Sequence, residues 1–536
     1  MSRTISICAV LLAAFILVTS IYGGYHFYSP IPYWDQWDGQ IGFYRRLGEH
    51  PFAAIWGQHM EHRIVFSRLL FWIDRVAFDG GNALLVIVNY LIAAGTAAVF
   101  VSEYIRNKDR RVPAVFVFGL VSGMLFLWTQ ENNLDWGFQS GSLGVNLFTV
   151  WAFARFSRDD GRTRNIIAAI LLLLAATLTM GNGVVGFAVL LGQAFLQRRM
   201  FKEYLIVGIC GLLVAAAYYY NFSKPVLDPD PAVTGLFLVQ PKFFAMFLGS
   251  PLFFVSGSLK FAAIAGLLSL AVFGAFSLYV FAKDKVTPYR AFLIATYVFI
   301  VISAIGAAHS RWMLGLAGAV ASRYTTPALV GFTAGILLIL DVVRGRWLYV
   351  TSIAALVLLT ALASHQTAVT DSAQDLYLRK LAVLSQKIGM DRPDYDQFVY
   401  PRAMHDRYVE NATFAAEHKI GAYGKGWLHD AGMIKFDPDR TDSASCEGHL
   451  EATSGPSGNI AVSGWAAIGS AADLLIVIVD SADKTVGYGV TGYERRDVAE
   501  AVKGAPRDAG WMGFANVAKG PISAYVYRDG KFCKLS

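Results

Sequence analysis

"ISICAVLLAAFILVTSIYGGYHF", residues 5–27, decides the fold. No ionisable side chain other than Cys8 and Tyr22 interrupts it before Tyr25 and His26. As a helix it is long enough to cross a hydrocarbon core of about 30 Å. A signal peptide would share that apolar centre. However, no clean small-x-small cleavage site follows, and the next residues are aromatic, so the segment reads as a retained anchor.

The same kind of run recurs along the chain. The 536 residues are 55% hydrophobic, 14% aromatic and 16% charged, with a mean hydropathy of +0.45. An ordinary soluble domain is about a quarter charged. Apolar runs lie at 5–22, 83–104, 113–128, 141–156, 165–180, 184–197, 204–220, 260–282, 290–308, 326–341 and 347–363. The expectation is a polytopic α-helical membrane protein with about 11 transmembrane helices. The net charge of +7 does not point to nucleic acid, because Lys and Arg sit in short clusters between apolar runs. Those clusters are "RNKDRR", "ARFSRDDGRTR", "QRRMFK", "AKDKVTPYR" and "VVRGRW". With the N-terminus and Arg3 cytoplasmic, all five fall on the cytoplasmic side, as the positive-inside bias requires. The C-terminal part then lies outside.

That topology gathers the unusual polar stretches on the outer side. They are residues 23–82, "WTQENNLDWGFQSG" at 128–141, "GNG" at 181–183, the loop 221–258 and "HSRWMLGLAGAVASRYTTP" at 309–327. Polar groups near a bilayer must face water or protein, since lipid cannot satisfy them. The loop 23–82 is too long for a passive connector, and "DGQIGFYRRLGEH" and "FSRLLFWIDRVAF" read as amphipathic surface helices. "KFFAMFLGSPLFFVS", 242–256, is apolar but broken by Gly249, Ser250 and Pro251, and reads as re-entrant or interfacial.

Beyond the last span the expected divisions are a helical and mixed linker region, 364–439, and a β-sandwich-like accessory domain, 440–536. "NIAVSGWAAIG", "DLLIVIVDS", "KTVGYGVTGY" and "ISAYVYRDGKF" are short β-branched and aromatic runs separated by Gly, Ser and Asp. Cys446 opens this part and Cys533 closes it. In an oxidising compartment they can pair; otherwise they are two free thiols. Trp465 and Trp511 could stack on sugar rings or simply pack.

Four constellations could carry chemistry. "PYWDQWDGQ", 32–40, sets Asp35 and Asp38 among aromatics. Three residues apart, the two share a face if helical. A carboxylate at a low-dielectric boundary suits a general base or a divalent-cation ligand, and Asp is also a common helix cap. "QHMEHRIVFSR" supplies His59, Glu61, His62, Arg63 and Arg68. It is not HExxH. Its His pair could bind metal, or Arg63 with His59 or His62 could hold a phosphate, or its arginines could meet lipid headgroups. Arg323 and Tyr324 begin an apolar run, and an arginine there calls for a partner, for which a phosphate qualifies. Glu131, Asn132, Asp135, Trp136 and Gln139 offer the amides, carboxylates and aromatic platform that suit a sugar or a self-satisfied loop. No Walker A loop, Rossmann fingerprint or nucleophile elbow is present.

The order "D-x-W-D", "H-x-E-H-R", "E-N … W-G-F-Q" and "R-Y-x-x-P", followed by an outer C-terminal domain, resembles the GT-C superfamily of integral-membrane glycosyltransferases, in its bacterial members. The resemblance covers residues 1–363. It implies a polyprenyl-phosphate sugar donor, a glycan, glycolipid or protein acceptor, a bacterial inner-membrane location and a periplasmic C-terminal domain. It also implies a first-loop aspartate, Asp35 or Asp38, as base and Arg63 and Arg323 as donor-phosphate ligands. The alternatives are a transporter or flippase of lipid-linked glycans, which lacks support from any internal repeat, and a non-catalytic glycan-assembly subunit.

Overall fold

The computed structural model describes residues 3–158, 163–224, 236–390, 392–442, 446–456, 458–467, 473–517 and 520–536. Residues 159–162 of the basic loop 154–164, and 225–235 of the loop 221–258, lie outside the described residues. The chain forms two compact units. One comprises residues 1–28, 55–70 and 84–371; the other comprises 29–54, 71–83 and 372–536.

The first unit is helical. Among the described residues, eight helices are long and apolar enough to cross a membrane: Arg3–His26, Ala83–Arg106, Ala114–Asp135, Phe201–Tyr219, Leu259–Ala282, Pro288–Leu314, Ser322–Val342 and Arg346–Val369. This is the make-up of a multi-pass membrane protein. Three more of the expected spans fold as the helices Ser140–Ser157, Thr163–Thr179 and Val185–Leu196, which fall short in length or apolarity. Helix starts follow local chemistry. Ser258 accepts from Phe261 N at 3.3 Å, and Thr287 accepts from Arg290 N at 3.2 Å with Pro288 in the first turn. Ser322–Val342 is the helix most enclosed by protein, while Phe201–Tyr219 and Leu259–Ala282 leave most of their apolar surface uncovered. The broken apolar segment forms two helices, Leu238–Leu248 and Ser250–Ser256, bent by 79°. It crosses Leu259–Ala282 at Gly249 and Gly266, where a Cβ on either would meet the backbone oxygen of Ala262 or Ala245 at 1.9 Å.

Among the described residues, the second unit contains one seven-stranded antiparallel sheet rather than the two-sheet sandwich expected. Its strands are β1 Gly448–Ser454, β2 Ile460–Ala466, β3 Leu475–Asp480, β4 Thr485–Tyr493, β5 Gly510–Ala515, β6 Ile522–Arg528 and β7 Lys531–Lys534, in the order β1-β2-β5-β4-β3-β6-β7. Register shifts at Leu450/Ala452, Ile478/Val479 and Thr491/Tyr493 bend the strands and curl the sheet into a half-barrel. The C-terminal residues return to β1: Ser536 N donates to Gly448 O at 3.0 Å and Cys446 N to Lys534 O at 2.9 Å. Cys446 and Cys533 form a disulfide across the same edge. β3 reads "LIVIVD" because both faces are covered. Leu475, Val477 and Val479 face Tyr377, Leu381 and Leu384 of the helix Gln374–Lys387, whereas Ile476 and Ile478 join Trp511 in a second core. Trp511 is fully buried, so it packs rather than presenting a sugar platform.

Candidate functional site

Asp35 and Asp38 belong to the second unit. They do not sit on one regular helix. Trp34 has φ +47°, a left-handed conformation that a bulky side chain rarely adopts. Trp34 N donates to Val399 O at 2.7 Å, and Trp37 N to Trp34 O at 3.0 Å. Asp35 follows this turn, and among the described residues its carboxylate has no hydrogen bond or ion pair. Trp37–Ile41 is a wide π-helical turn closed by Gly42 N–H on Trp37 O. Trp37 is buried edge-on to Tyr408, with ring centroids 4.9 Å apart. That anchor turns Asp38 toward Tyr400, whose hydroxyl donates to Asp38 Oδ2. Arg407 Nη1 donates to the same oxygen at 3.2 Å. Burial, then the Asp38 hydrogen bond, pushes the Tyr400 phenol well above its ordinary range, so it remains a donor. The Asp38 side chain is 26% exposed and can reach a ligand.

The second constellation lies in the first unit and is a turn, not a helix. His59 and His62 exchange backbone hydrogen bonds at 2.7 and 2.9 Å around Met60 at φ +48°. Glu61 pairs with Arg311 and lies 3.5 Å from His62 Nε2. Burial pushes the Glu61 carboxyl up, but His62 and Arg311 outweigh it and hold it below its ordinary value. Burial also drives the His62 imidazole down to about 4, with Glu61 opposing and Arg311 adding. A neutral ring fits its bonding, because His62 Nδ1 accepts from Gly181 N at 3.3 Å. Arg63 is buried and its guanidinium donates to three backbone oxygens: Tyr218 at 2.8 Å, Trp56 at 2.8 Å and Tyr220 at 2.6 Å. Arg68 likewise donates to the carbonyls of Ile55 and Gly57. Both arginines therefore act as loop clamps. Among the described residues no group of three or more His, Cys, Asp or Glu is placed to hold a metal ion.

The third and fourth constellations come together, also in the first unit. The stretch 128–139 docks on the start of helix Ser322–Val342. Asn132 N donates to Ser322 Oγ at 3.2 Å. Asn133 donates to Arg323 O at 2.9 Å and to Thr326 Oγ1 at 2.6 Å. Thr325 donates to Thr129 O at 2.9 Å. Glu131 and Asn132 are half-buried beside the Arg323 turn. Arg323 lies 5.5 Å from the Tyr324 ring, and among the described residues no carboxylate pairs with it. Tyr324 in turn packs on Phe247, with ring centroids 5.1 Å apart. Trp136 stacks on Phe138, and Gln139 is buried, accepting from Ser142 Oγ at 2.7 Å.

No protein-family model and no curated protein matches this chain.

Sequence reasoning missed Tyr400, Arg407 and Arg311. Arg311 was visible in "HSRW", two residues after a histidine in the polar stretch 309–327. Tyr400 and Arg407 had no local signal, because their partner Asp38 is more than 360 residues away in sequence.

Proposed function

We propose that this protein is an integral-membrane glycosyltransferase that moves a sugar from a polyprenyl-phosphate donor to an extracytoplasmic glycan, lipid or protein. Asp38 carries the reading: a partly exposed carboxylate fixed by a tyrosine hydroxyl and a guanidinium, in a chain rich in membrane-length helices. A carboxylate held in one orientation can take the proton of an attacking hydroxyl. The donor's phosphate leaves as an anion and needs a cation. Arg323 is the arginine suited to that role, since Arg63 is engaged by backbone carbonyls. Glu131 and Asn132, beside Arg323, are the sugar-contact candidates. The reading places the basic loops and N-terminus in the cytoplasm and the C-terminal half-barrel outside an inner membrane of about eleven crossings.

The test is mass spectrometry of surface glycans from cells lacking the gene, complemented with wild type, Asp38→Asn, Asp35→Asn or Arg323→Ala at matched protein level. Loss of one sugar in the deletion, not restored by Asp38→Asn or Arg323→Ala, supports the reading. Full restoration by both variants sinks it. Build-up of lipid-linked glycan on the cytoplasmic face of deletion cells would point instead to a flippase.

A further inference from the structure

Beside Asp38, the second unit holds a cavity that no role assigned so far uses. Its volume is about 320 Å³, and Ala403, Met404, His405, Asp406 and Arg407 line it. Arg407 both lines this cavity and donates to Asp38. His405 is fixed from behind: its Nδ1 lies 2.5 Å from Oδ2 of Asp396, a buried carboxylate. That leaves His405 Nε2 without a protein partner among the described residues. A buried carboxylate on one ring nitrogen sets the ring's orientation and the tautomer of the other.

The wall carries opposite charges in balance. Asp406 is negative and Arg407 positive, and Arg407 is already shared with Asp38. Arg402 and Asp394, nearby in sequence, pair with each other at 3.9 Å. A strongly anionic ligand would meet Asp406 and Asp38, and a strongly cationic one would meet Arg407. A neutral molecule carrying several hydroxyls would instead find acceptors at His405 and Asp406, a donor at Arg407, and an apolar surface at exposed Met404. We propose that this cavity is the acceptor subsite and takes an uncharged carbohydrate, one hydroxyl of which Arg407 brings beside Asp38. The proposal rests on the glycosyltransferase reading for its use, but binding can be measured without transfer.

The experiment uses full-length protein in nanodiscs, applied to an immobilised array of neutral bacterial surface oligosaccharides. Wild type should retain a subset of them. His405→Ala and, independently, the exposed-wall variant Asp406→Ala should weaken that binding about five- to tenfold, as loss of a ligand hydrogen bond does. His405→Gln, which keeps a polar group, should recover part of it. Equal binding by wild type and both alanine variants, retention only of acidic glycans, or no retention by wild type would overturn the subsite. Glycan retention that depends on His405, together with surface glycans unchanged in cells lacking the gene, would leave the subsite standing and remove the transferase reading.

Discussion

Asp38 differs from Asp35 in what holds it. Tyr400 and Arg407 converge on one oxygen of Asp38, while among the described residues the Asp35 carboxylate has no such support. A base must present its lone pair in one direction, and an ordered carboxylate meets that need better than a free one. Tyr400→Phe removes one donor and leaves the ring packing nearly unchanged. On the transferase reading it should lower the transfer rate at least about tenfold, the scale of a hydrogen bond to a charged group. Expression and thermal unfolding should stay near wild type. In vitro transfer from a synthetic polyprenyl-phosphate sugar measures this, and an unchanged rate would move the base role to Asp35. At this scale the sequence was half legible. The aromatic setting of "DQWD" singled out both aspartates, but the choice between them depends on Tyr400 and Arg407, which only the folded chain brings near.

At the scale of elements, two helices carry opposed tests. Leu259–Ala282 contains Gly266, pressed against the Ala245 carbonyl, and Gly274, with open space around it. A methyl at Gly266 meets backbone that cannot swing away, so Gly266→Ala should destabilise by about 1–3 kcal/mol or more. Gly274→Ala should be neutral or stabilising by up to about 1 kcal/mol, through helix propensity. Thermal unfolding of the two variants in one detergent gives the comparison directly. The helix Val65–Phe78 contains Asp74, fully buried, with Oδ2 accepting from Asn82 N at 3.1 Å and Oδ1 unpaired. Burial pushes its carboxyl up from 3.8 to about 6, with the Asn82 bond opposing. The fold therefore holds that proton more tightly than the unfolded chain. The associated stability is complete below about pH 4 and is lost as pH climbs toward 6. Asp74→Asn should raise the unfolding temperature at pH 7.5, and the gain should shrink toward pH 4.5. A pH-independent difference would exclude the titration as its cause. All eleven apolar runs fold as helices, because apolar length is a local property. The sheet was misread as a sandwich because strand pairing is not local. Only the unbroken "LIVIVD" run hinted at a strand covered on both faces.

At the scale of the molecule, the first loop does not stay in one piece. Residues 55–70 count with the membrane-type helices, whereas 29–54 and 71–83 count with 372–536. No periodicity or motif announces such a division, since it rests on contacts such as Trp34 N to Val399 O and Gly421 N to Asp79 O. The second unit therefore needs chain segments separated by residues 84–371 to fold as a body, and closing long loops is entropically unfavourable. The Cys446–Cys533 bond acts on that problem within the half-barrel, joining residues 87 apart at the edge where β1 receives the C-terminus. A crosslink over that length should contribute on the order of 4 kcal/mol by restricting the unfolded chain. Cys446→Ser with Cys533→Ser should therefore lower the unfolding temperature of the half-barrel and raise its protease sensitivity. The helices of the first unit should keep their own unfolding signal. Hydrogen exchange on the full-length double variant resolves the two: faster exchange confined to β1 and β7 locates the effect at the sheet edge. Exchange unchanged from wild type would show that the hydrogen bonds from Ser536 and Cys446 close the edge without the disulfide.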